Sequence, residues 1–176
     1  AIFVYVGVEV IAGDSIISYG TSLGIPIDEA KFFTSFTLGC MVAGYFLGIF
    51  LTPKVISQET ALKICAVLGL AFTAGVLFTE GRTSVYFLAA LGLAHSIMWP
   101  AIWPMYLKGL GKFTKTGAAL LIMGIAGGAI LPLAYGHLVD TMHNQPTYII
   151  LIPCYLYILF FAIWGHQIGY KKPVKH

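Results

Sequence analysis

Glu9 and Asp14 lie within AIFVYVGVEVIAGDSIISYG, residues 1–20, where almost every neighbour is apolar. A carboxylate in such a stretch either binds a proton, cation or solute hydroxyl in a hydrated cavity, or caps or pairs with a neighbouring element. On a helix Tyr5 sits one turn from Glu9, giving a face with a phenol and an acid, while Asp14 is rotated by about 140° and shares its face with Ser18. One cavity does not serve both acids equally, and Glu9 is nearer the middle of the run. A second cluster occupies GLAHSIMWPAIWPMY, residues 92–106. His95, Trp99 and Trp103 recur every four residues, so a helix carries an imidazole and two indoles along one stripe. Sugar rings bind by laying their apolar C–H faces on aromatic rings while their hydroxyls meet polar groups, so this stripe suits a polyol better than a lipid. Trp103, close to Lys108, also suits an anchor at a membrane interface, and Trp99 suits a cavity. His95 is expected inside, either as a neutral ring with one hydrogen-bond partner or as a proton carrier.

These residues do not assemble into catalytic machinery. Ser96 adjoins His95, but neighbours on a helix point about 100° apart, too far for a nucleophile and its base. His137, His143 and His166 fall near different run ends without metal-ligand spacing, so no metal and no cofactor is expected. Cys40, Cys65 and Cys154 lie in apolar runs as small hydrophobes. A phosphate-cradling glycine loop with its Lys is missing, which argues against an ATP-driven pump. An enzyme is not expected.

The elements that must position these groups are six apolar runs, at roughly 1–20, 32–51, 62–79, 84–105, 117–137 and 147–165, each near the twenty residues that cross ~30 Å of hydrocarbon. Hydrophobic residues make up 59% and charged residues 10% of the chain, outside the range of soluble domains. Lipid leaves a backbone only helices or closed barrels, and continuous runs without alternation exclude the barrel. The predicted fold class is an all-α membrane protein of six transmembrane helices. Lys54, Lys63, Lys108, Lys112, Lys115, Lys171, Lys172 and Lys175, eight of the ten basic residues, fall in every second gap, leaving Lys31 and Arg82 opposite. The positive-inside rule then puts both ends of the segment in the cytoplasm, in the cell (inner) membrane, and the net charge of +3 needs no nucleic-acid partner. The first run is read as a span and not as a cleavable signal, because it is span-length and lacks a basic leader.

Short gaps with Gly24, Pro26, Thr52, Pro53 and Gly81 force neighbouring helices to run antiparallel. The one internal division available is three plus three, with a first repeat at 1–83 and a second repeat and tail at 84–176, the second inverted relative to the first, although the halves do not match closely in sequence. Gly39 with Ala43, Gly44 with Gly48 and Gly124 with Gly128 mark faces for close helix packing. Pro100 and Pro104 remove donors beside the His and Trp stripe, so a kink is expected there; Gly127, Gly128 and Pro132 predict a second bend. Lys108, Lys112 and Lys115 serve as a topology anchor, or as a gate that meets carboxylates or helix ends of another domain when the cytoplasmic side closes. Because the sequence opens at Ala1 directly inside an apolar run, an upstream portion is expected.

FVYVGVEVIAGDSIISYG (residues 3–20) and SIMWPAIWPMYLKGLGKFTKTGAALLIMGIAGGAILP (residues 96–132) resemble the major facilitator superfamily, in its fucose and glucose/galactose permease branch. The resemblance is carried by the YVGVE segment, the KGLGK loop and the GGAI-P pattern, and covers essentially the whole chain. It implies helices seven to twelve of a twelve-helix sugar and proton symporter, working by alternating access, with an amino-terminal six-helix domain as the missing partner. The resemblance also implies that acids essential for coupling lie in that other domain, and that Glu9 corresponds to the Glu of the YVGxE segment. His95 departs from relatives that often have Asn there. Tyr5, Glu9, Asp14, His95 and Trp99 are thus the expected substrate-lining residues, with a monosaccharide, protons and the lipid bilayer as partners. The alternatives are an uncoupled channel or facilitator, or a structural half-domain that needs a partner chain.

Overall fold

The computed structural model describes residues 1–168, and the basic tail residues Lys171, Lys172 and Lys175 lie outside them. Six helical stretches in the described residues are long and apolar enough to cross a membrane, and they match the six expected runs to within a few residues at most ends. The first three are unbroken: α1 (Ile2–Ser22), α2 (Ile27–Leu51) and α3 (Gln58–Phe78). Each of the last three is interrupted. The fourth span is α4 (Gly81–His95) followed by α5 (Met98–Leu107); the fifth is α6 (Thr114–Met123) and α7 (Gly127–Met142); the sixth is α8 (Asn144–Thr147) and α9 (Leu151–Ile163).

Proline chemistry accounts for the fourth break. Pro100 has no N–H for the Ser96 carbonyl, so α4 stops at His95 and α5 starts at Met98, with regular bonding resumed from the Ala101 N–H to the Ile97 carbonyl at 3.0 Å. Pro104 is carried inside α5. In the fifth span the irregularity is a 3-10 turn at Gly124–Ala126, one turn ahead of the expected bend. Gly127 and Gly128 serve instead as contact points: a Cβ on Gly127 would overlap the Phe3 carbonyl, and one on Gly128 would come within 2.9 Å of Val6. Gly124 meets Ile2 in the same way, so the three glycines let α1 and the fifth span approach backbone to backbone. Gly44 and Gly48 do the same for Ser96 and Ile97, whereas Gly39 faces open space.

α1 packs on α7, α2 on α4, α3 on α4 and α9, and α1 also on α2 and α4. Exchanging the first three spans for the last three turns the first–fifth pairing into the fourth–second pairing and maps first–fourth and third–sixth onto themselves. That is the contact pattern of a pseudo-symmetric bundle of two three-helix units. The first and fourth spans are the most enclosed, 50% and 61% buried in their most apolar windows, against 17% for the second and fifth. α2 accordingly presents Phe32, Phe36, Val42, Phe46, Ile49 and Phe50 outward, a surface suited to lipid or to a second bundle.

The two basic residues on the minority side are both paired. Lys31 bonds Asp28 at 2.9 Å, and Arg82 makes a bidentate bridge to Glu29, with Nη2 to Oε2 at 2.9 Å. Lys54, Lys63, Lys108, Lys112 and Lys115 lie at the other end of the bundle. Both partners of the Arg82 bridge are about half exposed, so Arg82→Gln is expected to cost under ~1 kcal/mol in a detergent thermal melt of the complete protein. A loss of several kcal/mol would show that this bridge holds the α1–α2 and α3–α4 turns together, beyond charge neutralisation.

Candidate functional site

The candidate residues fall on the two most enclosed spans. Tyr5 is 1% exposed and stands one turn along α1 from the half-buried Glu9, so that phenol and carboxylate are neighbours. That pairing follows directly from their four-residue spacing. Tyr45 of α2, partly exposed, stands near the same carboxylate. The Tyr5 ring lies between two partners from the fourth span: His95, edge-on with centroids 6.2 Å apart, and Trp99, tilted at 6.3 Å. Trp99 in turn stacks on Trp103 at 5.8 Å and 28°. Glu9, Trp99 and Trp103, all partly exposed, are therefore linked through the buried Tyr5 ring and the Trp99–Trp103 stack.

His95 is placed differently. It is 1% exposed and lies behind Tyr5, with Nε2 2.6 Å from the Tyr155 hydroxyl of α9 and the two rings near-parallel at 6.0 Å. Of the two expected roles, the geometry is that of an interior ring with a hydrogen-bond partner. His95 and Trp99, one turn apart across the break at Ser96–Ile97, both flank Tyr5, and His95 also reaches Tyr155. Ser96 turns away, its hydroxyl donating to the Leu93 carbonyl at 2.8 Å.

Asp14 is exposed on another side of α1, and no described residue hydrogen-bonds or ion-pairs with it. Its neighbour Ser15 is drawn inward, at 2.7 Å from the Tyr148 hydroxyl. The two acids thus do not share a pocket. Gly13, between them, has nothing within 4 Å of where a Cβ would stand.

At the minority-charge end the bundle is closed by a polar group that sequence spacing did not reveal. Tyr19 bonds Ser84 at 2.6 Å, Ser84 donates to the Val76 carbonyl at 2.7 Å, and Gln145 donates to the Val76 and Thr79 carbonyls at 2.8 and 2.7 Å. At the Lys-rich end the bundle is open. A cavity of about 260 Å³ lies between α2 and α5, lined by Tyr45, Gly48, Thr52, Gln58, Ile97 and Pro100, with the Thr52 hydroxyl buried and unpartnered. It shares Pro53 and Gln58 with a second cavity reaching Ser57, Glu59 and Lys108. The first cavity is on the scale of a small solute and smaller than a drug-sized pocket. Lys108 closes α5, Lys112 lies 5.2 Å from the Phe113 ring centroid, and Lys115 is in the first turn of α6, all exposed.

Tyr45 and Tyr155 were missed in the sequence. Each is a tyrosine in an apolar run whose polar partner is on another span, so no spacing on its own helix marks it.

Among known proteins, no protein-family model matches the chain. A glucose/galactose transporter of Brucella abortus is 32% identical over 169 residues, a match covering 94% of this chain and 41% of that protein. An L-fucose-proton symporter of Escherichia coli K12 is 32% identical over 170 residues, covering 94% of this chain and 38% of that protein. These relatives are transporters and not enzymes. The crystal structure of the major facilitator superfamily transporter FucP in the outward conformation superposes with a TM-score of 0.88 at 25% identity, covering 97% of this chain and 41% of that one. The chain spans about two fifths of the length of the relatives it matches. With six apolar spans arranged as in one half of a solved transporter, and a similarity that runs along nearly all of its length, the chain belongs to the major facilitator superfamily as one six-helix half of that fold.

Proposed function

We propose that this chain is the carboxyl-terminal half of a sugar transporter that carries a monosaccharide of the glucose, galactose or fucose class with protons, by alternating access across the cytoplasmic membrane. The observation that carries the reading is the grouping of Glu9 and Tyr5 on α1 with Trp99 of the fourth span: a carboxylate for hydroxyls beside an aromatic face for C–H groups. The names of the matched relatives support the same substrate class. Glu9 and Trp99 contact the sugar, Tyr5 orients Glu9, and Asp14 faces the hydrated side opposite the missing half. The Lys-rich end, with both chain ends, is cytoplasmic. The amino-terminal six-helix half packs against this one, and the repeat boundary falls near residue 83, at the α3–α4 turn.

The test is a pH jump on proteoliposomes holding the complete transporter, with glucose, galactose and L-fucose supplied in turn. With the outside acid by one unit, a one-proton symporter is expected to concentrate its sugar up to about tenfold inside, since one unit is worth ~1.4 kcal/mol. A protonophore collapses the accumulation. Equilibration without accumulation would sink the coupled mechanism and leave an uncoupled facilitator; no entry of any of the three sugars would sink the substrate class.

A further inference from the structure

The Tyr155 ring on the sixth span is fully buried and clamped: a Cβ on Gly69 of α3 would overlap it. Its hydroxyl is thereby held at a fixed point, 2.6 Å from His95 Nε2. His95 is just as enclosed, and its ring meets Tyr5 edge-on at 6.2 Å, while Trp99 meets Tyr5 from the fourth span's second helix at 6.3 Å. Tyr5 ends the series, one turn from Glu9 on the same face of α1. Four side chains from α9, α4 and α1 thus form an unbroken buried line from the sixth span to the carboxylate. Interiors packed this tightly transmit displacement and do not absorb it.

We infer that Tyr155 and His95 are positioning residues for the sugar site: they fix Tyr5, and through it the direction in which Glu9 presents its carboxylate. The inference rests on the reading of Glu9 as a sugar contact. In it the imidazole is a spacer between two phenols, and the sixth span, which itself contributes no side chain to the partly exposed group of Glu9, Trp99 and Trp103, sets sugar affinity from behind. Removing the Tyr155 hydroxyl releases His95, lets the Tyr5 ring shift and loosens Glu9, without touching any group that meets the sugar.

The test is made in the complete transporter with Tyr155→Phe, which keeps the ring against Gly69 and removes only the hydroxyl. The sugar dissociation constant is expected to rise about three- to tenfold, the loss of one buried hydrogen bond, while the maximal transport rate stays within about twofold. In a Glu9→Gln background the same change is expected to add less than about twofold, because the effect travels through Glu9. An unchanged dissociation constant, or the same rise in both backgrounds, overturns the inference. A second readout needs no sugar: carbodiimide labelling of Glu9, followed by peptide mass spectrometry, is expected to run at least about threefold faster in Tyr155→Phe, and an unchanged rate overturns the inference whatever solute is carried. If labelling accelerates but Glu9→Gln transports normally, the positioning line stands and the sugar-contact reading of Glu9 fails. Should Tyr155→Phe not accumulate, His95→Gln, which removes the ring against Tyr5, is held to the same labelling criterion.

Discussion

Glu9→Gln is expected to cut sugar uptake by the complete transporter about thirty- to hundredfold while leaving its amount in the membrane near that of the parent. The amide has the size of the acid and keeps an oxygen that can accept from the neighbouring Tyr5 hydroxyl, so local packing on α1 is kept. What is lost is the charge. Hydrogen bonds to a charged acceptor contribute ~1.5–3 kcal/mol and those to a neutral one ~0.5–1.5 kcal/mol, and two hydroxyls losing that difference reach the expected factor. Folding is not expected to suffer, because a carboxylate inside a span costs about 3 kcal/mol on insertion scales and the amide relieves part of that cost. Uptake assays normalised to the purified amount check this. Unimpaired transport by a well-expressed variant would remove Glu9 from the site.

The other large effect is on assembly. Gly127→Leu is expected to abolish recovery of folded transporter, and Gly127→Ala to lose ~3 kcal/mol or more, whereas Gly136→Ala is expected to be within ~0.5 kcal/mol of the parent. A Cβ on Gly127 overlaps the Phe3 carbonyl, which is helix backbone and cannot turn aside as a flexible side chain can. Relief would require α1 and α7 to separate, and that pairing joins the first and fifth spans along their length, through Gly124, Gly127 and Gly128. In lipid no hydrophobic force draws helices together, so the lost close contact is not recovered elsewhere. Gly136, on the same helix, has nothing within 4 Å of its Cβ position and serves as the control for helix propensity. Size-exclusion profiles of the three variants decide the matter. A monodisperse Gly127→Leu protein would mean that the α1–α7 contact is dispensable.

Much of this architecture was legible from one-dimensional signals. The six spans emerged from run length alone; Lys31 and Arg82 stood out as exceptions to the basic bias, and only the fold paired them with Asp28 and Glu29. The kink beside Pro100 followed from a missing donor. The fifth-span irregularity was displaced to Gly124–Ala126 because the glycines expected to bend were needed for contact with α1. Tyr5 with Glu9 was readable because both sit on one helix. His95 with Tyr155 was not, since sixty positions separate them and neither has a polar neighbour at helical spacing.

What the amino-acid order determined by itself is whatever the bilayer enforces: helix number and approximate ends, because a backbone in hydrocarbon must satisfy its own hydrogen bonds. Which buried polar side chain meets which was decided only by tertiary packing. Small rotations set those meetings, such as the one that lets His95 reach both Tyr5 and Tyr155, and a rotation of one helix against another leaves no trace in the spacing of residues along either.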